Sequence, residues 1–127
     1  MKGMIPNRAE AQKPPHPEWF EGHVLIHTLV PQSATDDLEV LAVFFHDGAR
    51  TMPHVHAVDQ LLVAVEGRCV VATEHERIEI ATGQTAMVSK GEWHWHGAVM
   101  HTDACHLSIK KPGATDWNQP LKNFNAR

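Results

Sequence analysis

The most informative part of the chain is Gly48-Ala-Arg-Thr-Met-Pro-His54-Val-His56-Ala-Val-Asp-Gln60, which continues through an apolar segment to Gly67. Successive side chains of a β-strand point to opposite faces, so His54 and His56 would lie on one face. Two imidazoles in this arrangement can bind one metal ion. Gln60 has the same even-numbered parity at the start of the following apolar segment, and its amide oxygen is a further candidate ligand.

A second stretch, Gly91-Glu-Trp-His94-Trp-His96-Gly97, repeats the His-x-His pattern. One such pair is more often two unrelated surface histidines, whereas two pairs in one short chain favour a metal site. Three neutral imidazoles and an amide oxygen would form an N₃O set with two open positions, which suits an octahedral divalent ion. Trp93 and Trp95 alternate with the histidines, so we expect them to pack on the opposite face of the strand.

The composition agrees with metal or proton chemistry. The chain has 127 residues and 11 of them are His, as many as Lys and Arg together. Imidazole is the commonest metal ligand and titrates near neutral pH. The formal net charge is −4 and there is no basic stripe, which argues against a nucleic-acid partner. Two cysteines cannot build a disulfide framework.

Short apolar segments bounded by turns predict an all-β fold. These segments are Val24–Val30, Val40–Phe45, Leu61–Val65, Cys69–Thr73, Thr85–Val88 and Ala104–Lys110. About eight or nine short strands with a turn every 8–12 residues are typical of a sandwich or barrel. We therefore predict one β-barrel over residues 19–112. A proline-rich extended N-terminal arm, 1–18, precedes it, and a C-terminal arm or short helix, 113–127, follows it.

Neither a secretory signal nor a membrane helix is expected. The N-terminal segment lacks the apolar core of a signal peptide. The longest apolar run, Val40–Phe45, is far shorter than the roughly 20 residues of a membrane helix. We expect a cytoplasmic protein that acts on a small molecule and has no membrane or nucleic-acid partner.

The spacing of the two informative stretches resembles the two-motif signature of the cupins, G(x)5HxH(x)3–4E(x)6G followed by G(x)5PxG(x)2H(x)3N. The first motif reads Gly48, His54, His56, Gln60 and Gly67, and the second reads Gly83, Ser89, Gly91, His94 and Ala98. Every spacing is kept, but Gln60 replaces Glu, Ser89 replaces Pro and Ala98 replaces Asn. The resemblance implies a single-domain cupin, which is a double-stranded β-helix or jelly-roll barrel.

Further segments are similar to those of a narrower group, the small bacterial cupins that resemble the manganese-dependent hydroxynitrile lyases, also called cupin (R)-mandelonitrile lyases. These segments are EWFEG, GARTMPHVH, GEWHWHGA, the His106 region and Asp116-Trp117. The resemblance covers residues 17–118 and implies metal ligands at His54, His56, Gln60 and His94. It also implies a pocket position for His96, a base at His106 and, at Lys110, a polar residue near leaving cyanide.

The ligand at position 60 favours acid–base chemistry. A carboxylate would leave a divalent site with net charge +1, whereas Gln60 leaves +2, so the ion would be a stronger Lewis acid. A neutral ligand set also disfavours a trivalent ion, which argues against redox chemistry based on iron. The resemblance implies Mn²⁺ as the cofactor, and Fe²⁺, Ni²⁺, Zn²⁺ and Cu²⁺ are alternatives.

The predicted reaction is the cleavage of a 2-hydroxynitrile, such as mandelonitrile, to an aldehyde and cyanide. The substrate hydroxyl would bind the metal, and His106 would accept its proton. Lys110 or His96 would stabilise cyanide and return a proton. Other classes stay open, namely a metal-dependent cupin dioxygenase, a small-ligand-binding cupin without catalysis, and an isomerase or sugar-processing cupin. We expect a homodimer or homotetramer joined through sheet edges.

Overall fold

Strands account for most of the regular structure in the computed structural model, which describes residues 1–117. In chain order they are β1 Phe20–Val30, β2 Glu39–Thr51, β3 Val55–His56, β4 Gln60–Glu66, β5 Arg68–Thr73, β6 Arg77–Ala81, β7 Thr85–Val88, β8 His94–Ala98, β9 Ala104–Lys110 and β10 Thr115–Asp116. The helices within these residues are two 3-10 turns, Arg8–Glu10 and Pro17–Trp19. No helix in this part of the chain has the length and apolar character that crossing a membrane requires. The all-β prediction is confirmed.

The main antiparallel sheet curls into a nearly closed barrel. Its strand order is β6-β5-β8-β2-β9-β4-β7, and β1 also pairs with β2. The two strands at the ends of this order, β6 and β7, are consecutive in the chain. The turn between them hydrogen-bonds back to Ala64 of β4, through Gly83 N at 2.8 Å and Gln84 O at 3.0 Å. The two edges of the sheet therefore meet, as in the predicted jelly-roll barrel.

Strand β2 is longer than predicted, because a bend redirects the strand at the point where the sequence indicates a turn. Asp47 and Gly48 have positive φ angles of 49° and 73°. A Cβ atom on Gly48 would lie 3.1 Å from Met100 Cα, so the bend requires glycine. Residues before the bend pair with β9, and Arg50 beyond it pairs with Gly97 of β8. β2 therefore continues without interruption into the first motif, which begins at Gly48.

The barrel interior has an apolar end and a polar end. The apolar end is a buried cluster that includes Val24, Val43, Phe45, Leu62, Ala64, Val71, Ile80 and Val88. Along β9 the inward side chains pass from Ala104, in this cluster, to His106, Ser108 and Lys110, all of which are buried. Cys105 packs in a separate cluster on the outer face. The interior is thus closed by apolar packing at one end and lined with polar side chains at the other.

The terminal segments run across the polar end of the barrel. In the region predicted as an N-terminal arm, Gln12 forms a bridge to Ile26 of β1, with N–H···O distances of 2.9 and 2.8 Å. In the region predicted as a C-terminal arm or short helix, β10 pairs with β3. The rest of that region, 118–127, lies outside the described residues.

Candidate metal centre

Three histidines converge at the polar end of the barrel. His54 and His94 form an antiparallel bridge, in which each amide N–H donates to the other carbonyl, and His56 follows in β3. One ring nitrogen from each of the three residues lies within 4.8 Å of the other two, and all three side chains are buried. The structure thus brings together the three predicted histidine ligands, in a grouping that can hold a metal ion.

Each of these imidazoles has its Nδ1 atom next to an oxygen. The contacts are His54 to Met52 O at 2.8 Å, His94 to Glu92 O at 2.9 Å, and His56 to Thr115 Oγ1 at 2.8 Å. A carbonyl oxygen only accepts, so the proton lies on Nδ1 in His54 and His94. Their Nε2 atoms therefore carry lone pairs, which is the tautomer that metal binding through Nε2 needs.

Gln60 adds a fourth candidate ligand. Its Nε2 donates to Ser108 Oγ at 2.8 Å, and its Oε1 lies 3.0 Å from His94 Nε2. Since the His94 proton is on Nδ1, this short contact joins two atoms that each offer a lone pair. A cation next to both atoms would remove their repulsion. His54, His56, Gln60 and His94, which we call the ligand cluster, therefore fit a divalent metal ion.

Burial keeps the imidazoles of the ligand cluster neutral. It lowers the pKa of His56 to about 3 and the pKa of His94 to about 4. Burial, followed by the charges of His94 and His56, holds the pKa of His54 well below its usual range. Metal ions bind the neutral form of imidazole. The cluster is therefore ready to bind a metal at neutral and mildly acidic pH.

A second pair of histidines lies beside the ligand cluster. His106 Nε2 is 2.8 Å from His96 Nδ1, so one ring donates a hydrogen bond to the other. His96 lines the cavity, whereas His106 is fully buried and is not among the described residues that line it. Burial lowers the pKa of His106 to about 4, and burial and then His106 hold the pKa of His96 well below its usual range. Two neutral rings in this contact can share a proton.

A buried ion pair lies on another wall of the cavity. Lys110 Nζ is 3.1 Å from Glu39 Oε1, and the two side chains are 6% and 9% exposed. Lys110 is the cross-strand neighbour of Glu39 on β2 and of Gln60 on β4. Glu39 is absent from the predicted site residues, because a carboxylate just before the apolar run of β2 has the pattern of a solvated strand end. Its position opposite Lys110 follows from a strand pairing that one sequence does not show.

The cavity has a volume of about 480 Å³ and a lining of both polar and apolar residues. The polar lining residues include His54, His56, Gln60, His96, Ser108, Lys110 and Glu39, and the apolar ones include Trp19, Phe20, Ile26, Leu41, Val43 and Trp117. A ligand pocket typically combines an apolar wall with a few polar groups that fix orientation. This cavity therefore suits a small molecule that has both polar and apolar parts.

The other face of β8 has a structural role. Trp95 is fully buried and packs with Val70 and Ala72, while the guanidinium carbons of Arg50 and Arg77 lie 4.8 and 5.6 Å from its ring centroid. This arrangement agrees with the alternation of tryptophan and histidine in the second motif. The tryptophan therefore stabilises the strand from outside the barrel.

The fold and the buried histidines define a β-barrel protein with a centre suited to a divalent metal. The family model described as "Cupin domain" matches residues 41–110. The (R)-mandelonitrile lyase of Granulicella tundricola is 35% identical over 114 residues, which cover 87% of each chain. This chain belongs to the cupin family, and the predicted cupin barrel is confirmed.

Solved structures share this fold. A cupin-like protein of Thermotoga maritima superposes with a TM-score of 0.79 at 24% identity, covering 90% of this chain and 89% of that one. The polyketide cyclase RemF of Streptomyces resistomycificus has a TM-score of 0.74 at 15% identity, covering 98% of this chain and 90% of that one. The barrel described above is therefore an established architecture.

The metal-free protein should lose stability as the pH falls from about 6.5 to about 4. An unfolded histidine takes up a proton near its ordinary pKa of about 6.5, whereas buried His106 has a pKa of about 4. The contribution of such a histidine to the free energy of unfolding is therefore fully present above the pKa of the unfolded state. It is lost as the pH falls toward the pKa of the folded state. The loss is about 1.4 kcal/mol per pH unit for each such histidine. Urea unfolding at several pH values measures it.

The matched variants for this experiment are His106→Gln and, at an exposed position, His75→Gln. We expect the first to reduce the slope of unfolding free energy against pH by about one proton, and the second to leave it unchanged. Equal slopes in the two variants would contradict the assignment of a neutral buried imidazole to His106.

Proposed function

We propose that this chain is a metal-dependent lyase that cleaves 2-hydroxynitriles, such as mandelonitrile, to an aldehyde and hydrogen cyanide. The observation that supports this best is the neutral His96–His106 pair directly beside the ligand cluster. A base next to a candidate Lewis-acid site is the arrangement that deprotonation of a substrate hydroxyl requires. The 35% identical relative named (R)-mandelonitrile lyase supports the same reaction.

The ligand cluster would hold the divalent ion, for which we propose Mn²⁺. When bound, the ion supplies Lewis acidity that lowers the pKa of a substrate hydroxyl. Gln60 adds no negative charge to the cluster, and its amide is held by Ser108 at 2.8 Å. The three imidazoles are neutral as well, so the side chains of the cluster leave the charge of the ion undiminished.

The histidine pair would accept the hydroxyl proton. His96 Nε2 is buried and has no hydrogen-bond partner among residues 1–117. When His96 Nδ1 donates to His106 Nε2, His96 Nε2 carries the lone pair and can take up a proton from the substrate. Its Nδ1 lies 2.8 Å from His106 Nε2, so the positive charge can spread to the second ring. We therefore assign proton uptake to the pair, with His96 at the cavity and His106 acting through it.

Lys110 would stabilise the leaving group. As the carbon–carbon bond breaks, its electron pair leaves with cyanide and the substrate oxygen forms the aldehyde carbonyl. The ammonium group of Lys110 can stabilise this developing charge, and Glu39 holds it in place at 3.1 Å. The proton taken from the hydroxyl then returns to cyanide, so hydrogen cyanide leaves and the histidine pair is neutral again.

Removing this ammonium group should slow the reaction without releasing the metal. Lys110→Met alone would leave Glu39 as an unpaired buried carboxylate, so we combine it with Glu39→Gln. We expect kcat for mandelonitrile to fall by about 100-fold while the Mn²⁺ content is unchanged. Steady-state kinetics and elemental analysis of the double variant measure both quantities. An unchanged kcat would remove Lys110 from the mechanism.

The proposed activity is tested with racemic mandelonitrile at acidic pH, where the background reaction is slow. Benzaldehyde release is followed with metal-free protein and with the same protein after loading with Mn²⁺. We expect release to be faster than background only in the loaded sample. Equal rates in the two samples would contradict the proposal, and oxygen consumption by an iron-loaded sample would favour a dioxygenase instead.

A further inference from the structure

The segment that carries two ligands of the cluster is held by a strand from near the end of the chain. β3 pairs with β10 in a two-stranded sheet separate from the barrel sheet, with Thr115 opposite His56 and Asp116 opposite Val55. Ala57 N also donates to the carbonyl of Ala114 at 3.3 Å. β10 is therefore the strand partner that fixes the backbone around His56.

Side chains of this C-terminal segment contact two of the candidate ligands directly. Thr115 Oγ1 lies 2.8 Å from His56 Nδ1. The ring of Trp117 stacks on the imidazole of His54, with centroids 4.1 Å apart and planes 24° apart. One contact is a hydrogen bond to the Nδ1 atom of a ligand, and the other restrains the plane of a ring.

The same tryptophan also contacts the N-terminal segment beside the site. Trp117 stacks on Trp19 at 4.8 Å and 4°, and Trp19 stacks on His16 at 4.0 Å and 22°. Together with His54 these rings form a continuous column from the N-terminal segment to the ligand cluster. Both terminal segments therefore contribute to the orientation of one imidazole.

We propose that Thr115 and Trp117 are positioning residues of the metal centre, so that metal binding and docking of β10 stabilise one another. Thr115 Oγ1 can accept a hydrogen bond from His56 Nδ1, which leaves Nε2 for the ion. That Nε2 is buried without a partner among the described residues. Stacking of Trp117 on His54 restrains the second ring. Coupling between the ion and the strand is reciprocal, because any preference of the ion for the docked state strengthens docking equally.

This inference needs only the binding of a divalent ion and does not rest on lyase activity. Its test therefore uses Mn²⁺ alone, without substrate. A chain that binds Mn²⁺ but fails to cleave mandelonitrile would leave the inference standing, whereas the outcomes named below concern metal affinity and strand docking only.

The first measurement is the Mn²⁺ affinity of Thr115 variants by calorimetric titration of metal-free protein. Thr115→Val keeps the shape of the side chain but removes the acceptor for His56 Nδ1. We expect its affinity to fall by about 10–100-fold, the usual effect of losing a group that orients a metal ligand. Thr115→Ser keeps the hydroxyl and should bind within a factor of about three of the unchanged protein.

Two further variants complete the series. Trp117→Leu should weaken Mn²⁺ binding by about 3–10-fold, because it removes an aromatic stacking contact. Thr85→Val makes the same chemical change as Thr115→Val at an exposed position of β7 and should leave the affinity unchanged. Equal affinity in Thr115→Val and Thr85→Val would overturn the proposal.

The second measurement uses the unchanged protein and does not depend on whether a variant folds. Deuterium uptake by peptides covering residues 54–58 and 111–117 is followed by mass spectrometry with and without saturating Mn²⁺. We expect the ion to slow exchange in both peptides, because docking of β10 is stabilised together with binding. Exchange in 111–117 that is the same in both samples would overturn the reciprocal coupling.

Discussion

Replacing His106 with alanine is expected to lower kcat for mandelonitrile cleavage by about 10²–10⁴-fold, the range that loss of a general base produces. His106 makes its 2.8 Å contact with His96, which lines the cavity. Without His106, His96 has no second ring to share the charge that proton uptake creates. His96→Ala should cause a loss at least as large, because it removes the member of the pair that lines the cavity.

Metal content and folding separate this effect from structural damage. Neither His96 nor His106 belongs to the ligand cluster, so both variants should retain bound Mn²⁺. His46→Ala, at an exposed histidine that pairs with Asp103 at 2.9 Å, is the matched control and should retain full activity. If both pair variants kept kcat within about threefold of the unchanged protein, the pair would not be the base.

Replacing His94 with alanine is expected to remove stoichiometric Mn²⁺ binding and to reduce activity to that of metal-free protein. The change deletes one of three converging imidazoles and leaves Gln60 Oε1 without its neighbouring nitrogen. Loss of one of four ligands should weaken binding more strongly than the roughly 10–100-fold effect of losing an orienting group. The backbone bridge between positions 94 and 54 does not need the imidazole, so the barrel should remain.

Elemental analysis after dialysis gives the ratio of Mn²⁺ to protein for this variant. His75→Ala, which removes an exposed histidine from a turn, should retain the ratio of the unchanged protein. A His94→Ala protein that still held as much Mn²⁺ as the His75→Ala protein would contradict the assignment of His94 to the ligand cluster.

The inward residues of the site could be predicted from the sequence, because strand alternation is a local property. His54 and His56 are two apart, Gln60 begins β4, and His94 and His96 alternate with tryptophans. These spacings place the same side chains inside any regular barrel strand. The resemblance to cupins indicated that two stretches far apart in the sequence contribute to one site. Local periodicity alone could not have shown this.

The parts that could not be predicted depend on contacts between distant segments. Glu39 meets Lys110 only because β2 and β9 pair in one register. Thr115 meets His56 through β10, where the sequence suggests an arm or short helix. The extension of β2 through Gly48 was missed for a different reason, since a glycine after polar residues is the usual pattern of a turn. Tertiary packing decided each of these features.

The neutral amide of Gln60 lies close to a buried ion pair. Gln60, Lys110 and Glu39 are neighbours across three strands, β4, β9 and β2. The cupin signature quoted above has Glu at the place that Gln60 occupies in this chain. The carboxylate that pairs with Lys110 belongs to Glu39 on β2. The ligand cluster is thereby left uncharged, while the lysine keeps a counter-ion.

The location of the ion in crystals of the Mn²⁺-loaded protein is the most direct test of the metal centre. An anomalous difference map collected near the manganese absorption edge shows where the ion lies. We expect one strong peak per chain, contacted by Nε2 of His54, His56 and His94 and by Oε1 of Gln60. A protein that contains one Mn²⁺ per chain but shows its anomalous peak away from these four side chains would contradict the assignment.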